Sequence, residues 1–168
     1  MSEGAKVFIS LGSNVGEKAL YLKKAIEKIS SIDGVKIVKS SSLMETSPVG
    51  ITDQPRYINQ VTLLYTDILP DELLAKFKEI EKTLGRKPRA RWAEREIDID
   101  VVEYEGIQMD SEKLCLPHKE MLNRLFILKG CCEVMPDYMV AKHDSTFKTL
   151  YFKGLERLKD QIILDIKP

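Results

Sequence analysis

Cysteine is scarce in this chain, and its placement gives no sign of a disulfide or metal site. The three cysteines are Cys115, Cys131 and Cys132, an odd number with one adjacent pair and no Cys-x-x-Cys spacing. Such a set excludes a disulfide framework and lacks a zinc-binding motif. We therefore expect three buried thiols.

Long apolar runs are also missing. No stretch of about 18 apolar residues occurs, which is the length that a membrane-spanning helix needs. The first residues, Met-Ser-Glu-Gly-Ala-Lys, lack the apolar core of a signal peptide. These absences predict a cytoplasmic protein with no membrane partner.

The chain has no excess of charge of either sign. Its 26 Lys and Arg residues balance 26 Asp and Glu residues, whereas a nucleic-acid-binding domain is usually basic overall. Nucleic acid is therefore not an expected partner. With 168 residues, 43% hydrophobic and 31% charged content and no repeats, the composition predicts a single globular domain spanning residues 1–168, which we expect to be a monomer.

The positive charge that is present is concentrated in one segment. Residues Arg86–Arg95 contain five Lys or Arg and one Glu, a local net charge of +4. This segment leads directly into Ile-Asp-Ile-Asp, where Asp98 and Asp100 alternate with Ile97 and Ile99. A cationic loop followed by two acids is typical of a site for a metal-bound polyphosphate.

The spacing of the two acids predicts that they act together. On a strand, Asp98 and Asp100 share one face, while Ile97, Ile99 and Val101 point into the core. At about 6 Å and an effective dielectric of about 20, two such charges repel by roughly 3 kcal/mol. We therefore expect a cation between them, and two oxygen ligands suit Mg²⁺ better than zinc. We also expect that replacing either acid by Asn stabilises the metal-free protein.

Each of these features also has a structural explanation. Alternating Asp and Ile is compatible with any half-exposed strand, and an Arg-rich stretch is usually a solvated loop. Asp has poor strand propensity, however, and the two features are adjacent in the sequence. Their adjacency favours a functional site.

Apolar periodicity predicts the element order β-α-β-β-α-β, which is typical of the ferredoxin-like fold and places the chain in the α+β class. Asn14 and Glu17 have capping-box spacing, which predicts that Asn14 caps the first helix. From Cys115 onward we expect a C-terminal α/β extension that packs against the sheet. The predicted strands are Lys6–Leu11, Val35–Leu43, Tyr57–Tyr65 and Ile97–Glu103, and the second helix is Pro70–Leu84.

Five motifs follow one another along these predicted elements. They are Gly12-Ser13-Asn14, the stretch Thr46–Asn59, the Gly85-Arg86 loop with Arg91-Trp92 and Arg95, Asp98-Ile-Asp100, and Pro117-His118 with Asn123-Arg124-Leu-Phe126. Together they resemble the 6-hydroxymethyl-7,8-dihydropterin pyrophosphokinase family of folate biosynthesis over nearly the whole chain. Enzymes of that family transfer the terminal pyrophosphoryl group of ATP to the pterin hydroxymethyl oxygen and release AMP. The resemblance implies ATP and the pterin as partners.

The resemblance also implies a role for individual residues. Asp98 and Asp100 match acids that ligate two Mg²⁺ ions, and Arg86 and Arg95 match loop arginines that close on the phosphates, so these four are expected to be catalytic. The positions implied to contact ATP are Glu81, Arg89, Arg91, Trp92, Val101, His118 and Arg124. Those implied to contact the pterin are Thr46, Val49, Tyr57, Asn59 and Phe126. Without the resemblance, Tyr57 and Phe126 are typical core residues.

Several positions depart from the pattern of the family. Ala93-Glu94 stands where many members have Gly-Pro, Lys119 where others can carry an aromatic residue, and Lys78 where Gln occurs. These departures concern affinity and loop kinetics rather than the reaction.

Two other functions remain open from the sequence. A polymerase-beta-type nucleotidyltransferase also uses Gly-Ser and Asp-x-Asp with Mg²⁺, but here Ser13 and Asp98 are separated by a whole βαββα unit. A ferredoxin-like RNA-binding module would explain the basic loop, but it would give no role to Asp98 and Asp100.

Overall fold

The computed structural model describes residues 4–48, 53–91 and 93–167. Its strands and α-helices are, in chain order, β1 (Ala5–Ser13), α1 (Lys18–Ser30), β2 (Val35–Ser40), β3 (Leu43–Thr46), β4 (Tyr57–Thr66), α2 (Pro70–Thr83), β5 (Asp98–Tyr104), β6 (Met109–Asp110), β7 (Cys115–Leu116), α3 (Leu125–Val134), β8 (Met139–Val140), β9 (Ser145–Thr146), α4 (Phe147–Arg157) and β10 (Ile163–Ile166). In these ranges no helix has both the length and the apolar content needed to cross a bilayer.

Six strands of the described chain form one antiparallel sheet. Its order is β10-β3-β4-β1-β5, and β2 pairs with β4 alongside β3. The central strand β1 pairs with β4 over its whole length and with β5 from Val7 to Gly12. A mixed structure with an antiparallel sheet and four helices agrees with the predicted α+β class.

The second predicted strand is wrong in one respect, because Val35–Leu43 is divided into β2 and β3. At the break, Ser41 Oγ accepts a hydrogen bond from the backbone N–H of Val61, while Ser41 N–H donates to the Val61 carbonyl. The next N–H, of Ser42, is bound by the carboxylate of Glu133 on α3. Side chains thus take part in the pairing at both residues, and apolar periodicity does not record such bonds.

Helices cover both faces of the sheet. Along β1, alternate side chains enter different cores: Val7, Ile9 and Leu11 pack beneath α1 and α2, and Phe8 packs beneath α3 and α4. The predicted C-terminal extension supplies α3 and α4, and it also supplies edge strand β10, which sequence analysis did not identify. Among the cysteines, Cys131 is buried as expected, but Cys115 and Cys132 are only half-buried.

The seating of α3 on the sheet depends on a glycine. A Cβ atom at Gly130 would lie 2.4 Å from Val61 Cγ2 on β4, a distance that real contacts do not reach. The absent side chain therefore lets α3 approach β4 closely and brings Phe126 to the edge of the sheet.

Gly130→Ala is accordingly expected to lower the free energy of unfolding by about 1–3 kcal/mol through overpacking, despite the better helix propensity of Ala. Urea denaturation measures the change. Gly154→Ala is the matched control, because its Cβ would meet only side-chain methyl groups of Leu128 and Leu125. Equal stability of the two variants would contradict a close approach that is specific to Gly130.

Candidate active site

A pocket opens at one end of the sheet, on the face that α3 covers. It lies where the ends of β1, β4 and β5 meet, because alternate residues of these strands point to this face. The residues that line it are Ser10, Gly12, Thr46, Ser47, Tyr57, Asn59, Arg95, Asp98, Asp100, Arg124 and Phe126. The pocket thus contains predicted pterin contacts, predicted metal ligands and predicted phosphate contacts together.

Gly12 forms the middle of the pocket floor. In the sheet it pairs with Asn59 on one side and with Asp98 on the other. A Cβ atom here would lie 2.8 Å from Asn59 Oδ1 and 3.7 Å from the Tyr57 ring. Sequence analysis recognised Gly12 as part of a motif at the end of a strand, but the requirement for an absent side chain arises only from the neighbouring strands.

The two acids of β5 project together, as predicted, and Ile97, Ile99 and Val101 are buried in the core. Their environments differ. Asp98 Oδ1 is 2.8 Å from Arg86 Nη1, and its Oδ2 is 2.8 Å from Arg95 Nη1. In the described part of the chain, Asp100 forms no ion pair.

This difference separates the pKa values of the two carboxyl groups. Burial acts to raise the pKa of Asp98, but Lys78, Arg95 and Arg86 together lower it below its ordinary value. Burial and the charge of Asp98 raise the pKa of Asp100. The expectation that both acids are strained in the metal-free protein is therefore wrong for Asp98 and stays a prediction for Asp100.

The donor set at this point fits a hard cation. Two carboxylates share one face of β5 within the pocket, and one of them is destabilised in its charged form by the other. Carboxylate oxygens with space for water and phosphate oxygens suit Mg²⁺. Across the described ranges there is no group of three or more His, Cys, Asp or Glu side chains of the kind that encloses a metal.

Glu81 of α2 is nearly fully buried, at 2% relative exposure, rather than solvated. Its Oε1 accepts hydrogen bonds from Ile99 N at 2.7 Å and from Lys78 Nζ at 2.9 Å, and its Oε2 binds Arg86. These contacts attach α2 and the start of the cationic loop to β5. A direct contact between Glu81 and ATP stays a prediction.

The arginines of the cationic loop, residues 86–95, bind different partners. Arg89 binds Glu96 at 2.8 Å and the backbone carbonyl of Glu94, on the exposed side of the loop. Arg91 is exposed, and Trp92 lies outside the described residues. Of the loop cations, Arg86 and Arg95 pair with Asp98, and their expected contacts with phosphates stay a prediction.

Predicted pterin contacts form the opposite wall. Asn59 Nδ2 donates to Thr46 Oγ1 at 2.7 Å, and both residues are buried. Tyr57 and Phe126 are half-buried, so each combines packing with a surface that faces the pocket. Burial raises the pKa of Tyr57, which keeps its phenol protonated. Val49 lies outside the described residues.

Near Asp100 are two more predicted ATP contacts. Arg124 lines the pocket, and burial lowers the pKa of His118, whose Nδ1 accepts a hydrogen bond from Glu120 N. His118 is therefore held as a neutral, oriented ring. The side chain of Val101 is in the core at 1% exposure, so any ATP contact would have to use its backbone.

Asn14 supports two loops beside the pocket, a role that was not predicted from the sequence. Its backbone N–H donates to the Arg95 carbonyl, and its Oδ1 accepts from Arg95 N at 2.8 Å. Its Nδ2 donates to Gln54 Oε1 at 3.1 Å, so it connects the cationic loop with the loop before β4. The predicted cap is wrong, since α1 begins at Lys18 without a side-chain cap. Capping a helix and joining two loops would each satisfy the hydrogen bonds of the Asn14 amide. The partners that it uses, Arg95 and Gln54, are distant in the sequence.

Comparison with known proteins supports the family that the sequence motifs indicated. The profile of the family described as 7,8-dihydro-6-hydroxymethylpterin-pyrophosphokinase matches residues 8–136. A 2-amino-4-hydroxy-6-hydroxymethyldihydropteridine pyrophosphokinase of Methylorubrum extorquens is 38% identical over 135 residues, which cover 80% of this chain and 85% of that protein. The protein of the same name from Bacillus subtilis is 36% identical over 127 residues, 76% of each chain.

Solved structures support the fold. The Plasmodium falciparum HPPK-DHPS wild type with pteroate has a TM-score of 0.73 at 16% identity, over 93% of this chain and 43% of that one. An HPPK-DHPS in complex with substrates has a TM-score of 0.71 at 14% identity, over 94% and 44%. The chain thus corresponds to less than half of each of those longer proteins. It belongs to the 7,8-dihydro-6-hydroxymethylpterin pyrophosphokinase family.

Proposed function

We propose that the chain transfers the terminal pyrophosphoryl group of ATP to the hydroxymethyl oxygen of 6-hydroxymethyl-7,8-dihydropterin and releases AMP. The hydroxymethyl oxygen forms a bond to the β-phosphorus and loses its proton, while the bond from that phosphorus to the oxygen retained by AMP breaks. The observation that carries the proposal is the pocket, because an aromatic and amide wall faces a pair of acids with arginines across the bare backbone of Gly12.

The aromatic and amide wall suits a flat heterocycle with polar edges. Tyr57 and Phe126 offer ring faces, and Asn59, held by Thr46, offers an amide to the edge of the ring. Because Gly12 has no side chain, a bound ring can lie against the backbone of β1 between Asn59 and Asp98. These groups orient the pterin so that its hydroxymethyl arm extends toward the acids.

The opposite half suits the triphosphate. Asp98 and Asp100 would hold Mg²⁺, two ions by the resemblance, and bound there Mg²⁺ would neutralise phosphate charge and polarise the attacked phosphorus. Arg86 and Arg95 would bind phosphate oxygens with guanidinium groups, and Arg124 with His118 would bind beside Asp100. Glu81, Arg89, Arg91, Trp92 and the Val101 backbone are proposed ATP contacts by the resemblance.

The two alternative functions are not favoured. The family profile and the relatives are pyrophosphokinases rather than nucleotidyltransferases or RNA-binding modules. We also propose that the βαββαβ core is ferredoxin-like and that residues 1–168 form a single domain. A monomeric state and a cytoplasmic location are proposed as well.

The assay that tests the function follows AMP. Purified protein with ATP, Mg²⁺ and reduced hydroxymethylpterin should form AMP and pterin pyrophosphate in equal amounts, and neither should form without the pterin. Release of ADP, or ATP consumption that does not depend on the pterin, would overturn the proposal. A parallel titration with single-stranded RNA should show no competition with ATP.

Phe126→Ala is expected to weaken pterin binding by about 1–3 kcal/mol, as loss of a stacking partner does, and to leave ATP binding nearly unchanged. Isothermal titration with each ligand measures this. Phe152→Ala, which removes an exposed ring at 57% exposure from α4, is the matched control and should leave pterin binding unchanged. If Phe126→Ala instead binds pterin normally and loses about 3–5 kcal/mol of stability, Phe126 is a core residue.

A further inference from the structure

Lys78 of α2 is a cation beside the acids to which the reaction scheme above gives no role. Its Nζ lies 2.9 Å from Glu81 Oε1, 3.5 Å from the Ile99 carbonyl and 3.9 Å from Asp98 Oδ1. Lys78 therefore places a positive charge directly beside Asp98, one of the two proposed metal ligands.

The charges around the acids are already compensated without a metal. Three carboxyl side chains face four cationic side chains in this cluster: Glu81, Asp98 and Asp100, against Lys78, Arg86, Arg95 and Arg124. A bare divalent cation would meet no net negative charge. A polyphosphate brings negative charge of its own, so a metal that arrives with the nucleotide does not have this disadvantage.

The four cations differ in what can release them. Arg86 and Arg95 belong to the loop proposed to close on phosphate, so both can leave Asp98 for the nucleotide. Arg86 is bound to Glu81 as well, but Lys78 belongs to helix α2 and not to the loop, so loop closure does not move it away from Asp98. A metal ion bound at Asp98 would therefore still be repelled by the Lys78 ammonium group.

We propose that Lys78 is a positioning residue that keeps affinity for free divalent metal low, so that the metal is loaded together with the nucleotide. This inference rests on the proposed role of Asp98 and Asp100. Lys78 acts through the acids and not on the substrate. A purely structural Lys78 that only neutralised Glu81 would affect stability, but it would not change metal affinity of the folded protein.

The experiment measures Mn²⁺, a paramagnetic substitute for Mg²⁺, by the electron paramagnetic resonance of the free ion. Lys78→Gln is expected to bind Mn²⁺ alone about tenfold more tightly than wild type, because one positive charge near the acids is removed. Lys78→Arg should restore the wild-type value. Lys76→Gln is the matched control, since Lys76 lies on the same helix and pairs with exposed Glu72 at 3.5 Å.

Repeating the titration with a non-hydrolysable ATP analogue tests the loading claim. The analogue should tighten Mn²⁺ binding strongly in wild type and several-fold less in Lys78→Gln. Unchanged or weaker Mn²⁺ affinity in Lys78→Gln would overturn this inference alone. If wild type binds no Mn²⁺ even with the analogue, the metal assignment fails as well, and the inference fails with it.

A second measurement covers the case in which Lys78→Gln does not fold. Wild-type lysines are labelled by reductive ¹³C-methylation, and the Lys78 signal is assigned by its loss in Lys78→Arg. On addition of Mg²⁺ with the analogue, the Lys78 signal should shift and the Lys76 signal should not. A Lys78 signal that does not respond would overturn the proposal.

Discussion

Asp100→Asn is expected to lower pyrophosphoryl transfer by several orders of magnitude and to raise the melting temperature of the metal-free protein. Loss of a charged metal ligand removes the transfer activity. The gain in stability arises because burial and the charge of Asp98 both disfavour the ionised Asp100, and an amide removes that cost. We expect a gain of roughly 1 kcal/mol in the free energy of unfolding.

Asp98→Asn is the informative partner variant, since it should lose activity to a similar extent and yet melt at a lower temperature. Asp98 is bound by Arg86 and Arg95, so the amide removes one counter-charge from each of two guanidinium groups, at about 1–3 kcal/mol. Thermal melts with and without Mg²⁺ and an ATP analogue, together with the AMP assay, check both variants. Equal stability changes would contradict the different environments of the acids, and full activity in either would contradict the metal assignment.

Glu103→Gln is expected to stabilise the protein by up to about 3 kcal/mol at pH 8 and by almost nothing near pH 4.5. Glu103 of β5 lies on the opposite end of the sheet from the pocket and is 4% exposed. Its Oε1 accepts a hydrogen bond from the Tyr138 hydroxyl, and its Oε2 is buried without a partner among the described residues. Burial raises the pKa of this carboxyl to about 7.

The sign of the pH dependence follows from that pKa. Between its ordinary pKa of 4.5 and about 7, the folded protein holds a proton on Glu103 that the unfolded chain has lost. The wild type therefore loses stability as the pH rises through this window, and the amide, which cannot ionise, does not.

Urea denaturation of wild type and Glu103→Gln at several pH values measures the difference. Glu105→Gln is the control, because Glu105 is paired with Lys6 and its pKa is lowered, so its removal should destabilise slightly at pH 8. A Glu103→Gln variant with the wild-type pH profile would contradict a buried, neutral Glu103.

Much of the fold could be predicted because its helices and strands show the corresponding apolar periodicity in their own residues. Helix α2 and strands β1, β4 and β5 differ from the prediction by only a few residues at their ends. Among the misses were β10, which pairs with β3 alone in the described part of the chain, and the break at Ser41. Both depend on contacts with residues that are distant in sequence.

The sequence by itself determined the chemistry of this protein. The Asp-x-Asp spacing on a strand placed two acids on one face, directly after a run of arginines. The order of the motifs identified the family. These properties are local, because strand alternation and charge are set by neighbouring residues.

Only the tertiary structure decided how the acids are balanced and what the remaining polar residues do. It paired Asp98 with two arginines and, among the residues that the structure describes, gave Asp100 no such pair. It also brought Lys78 from α2 to Asp98 and used Asn14 to join two loops. An ionisable or amide side chain has many compatible partners, and its burial and partners are set by strands and helices that meet only when the chain has folded.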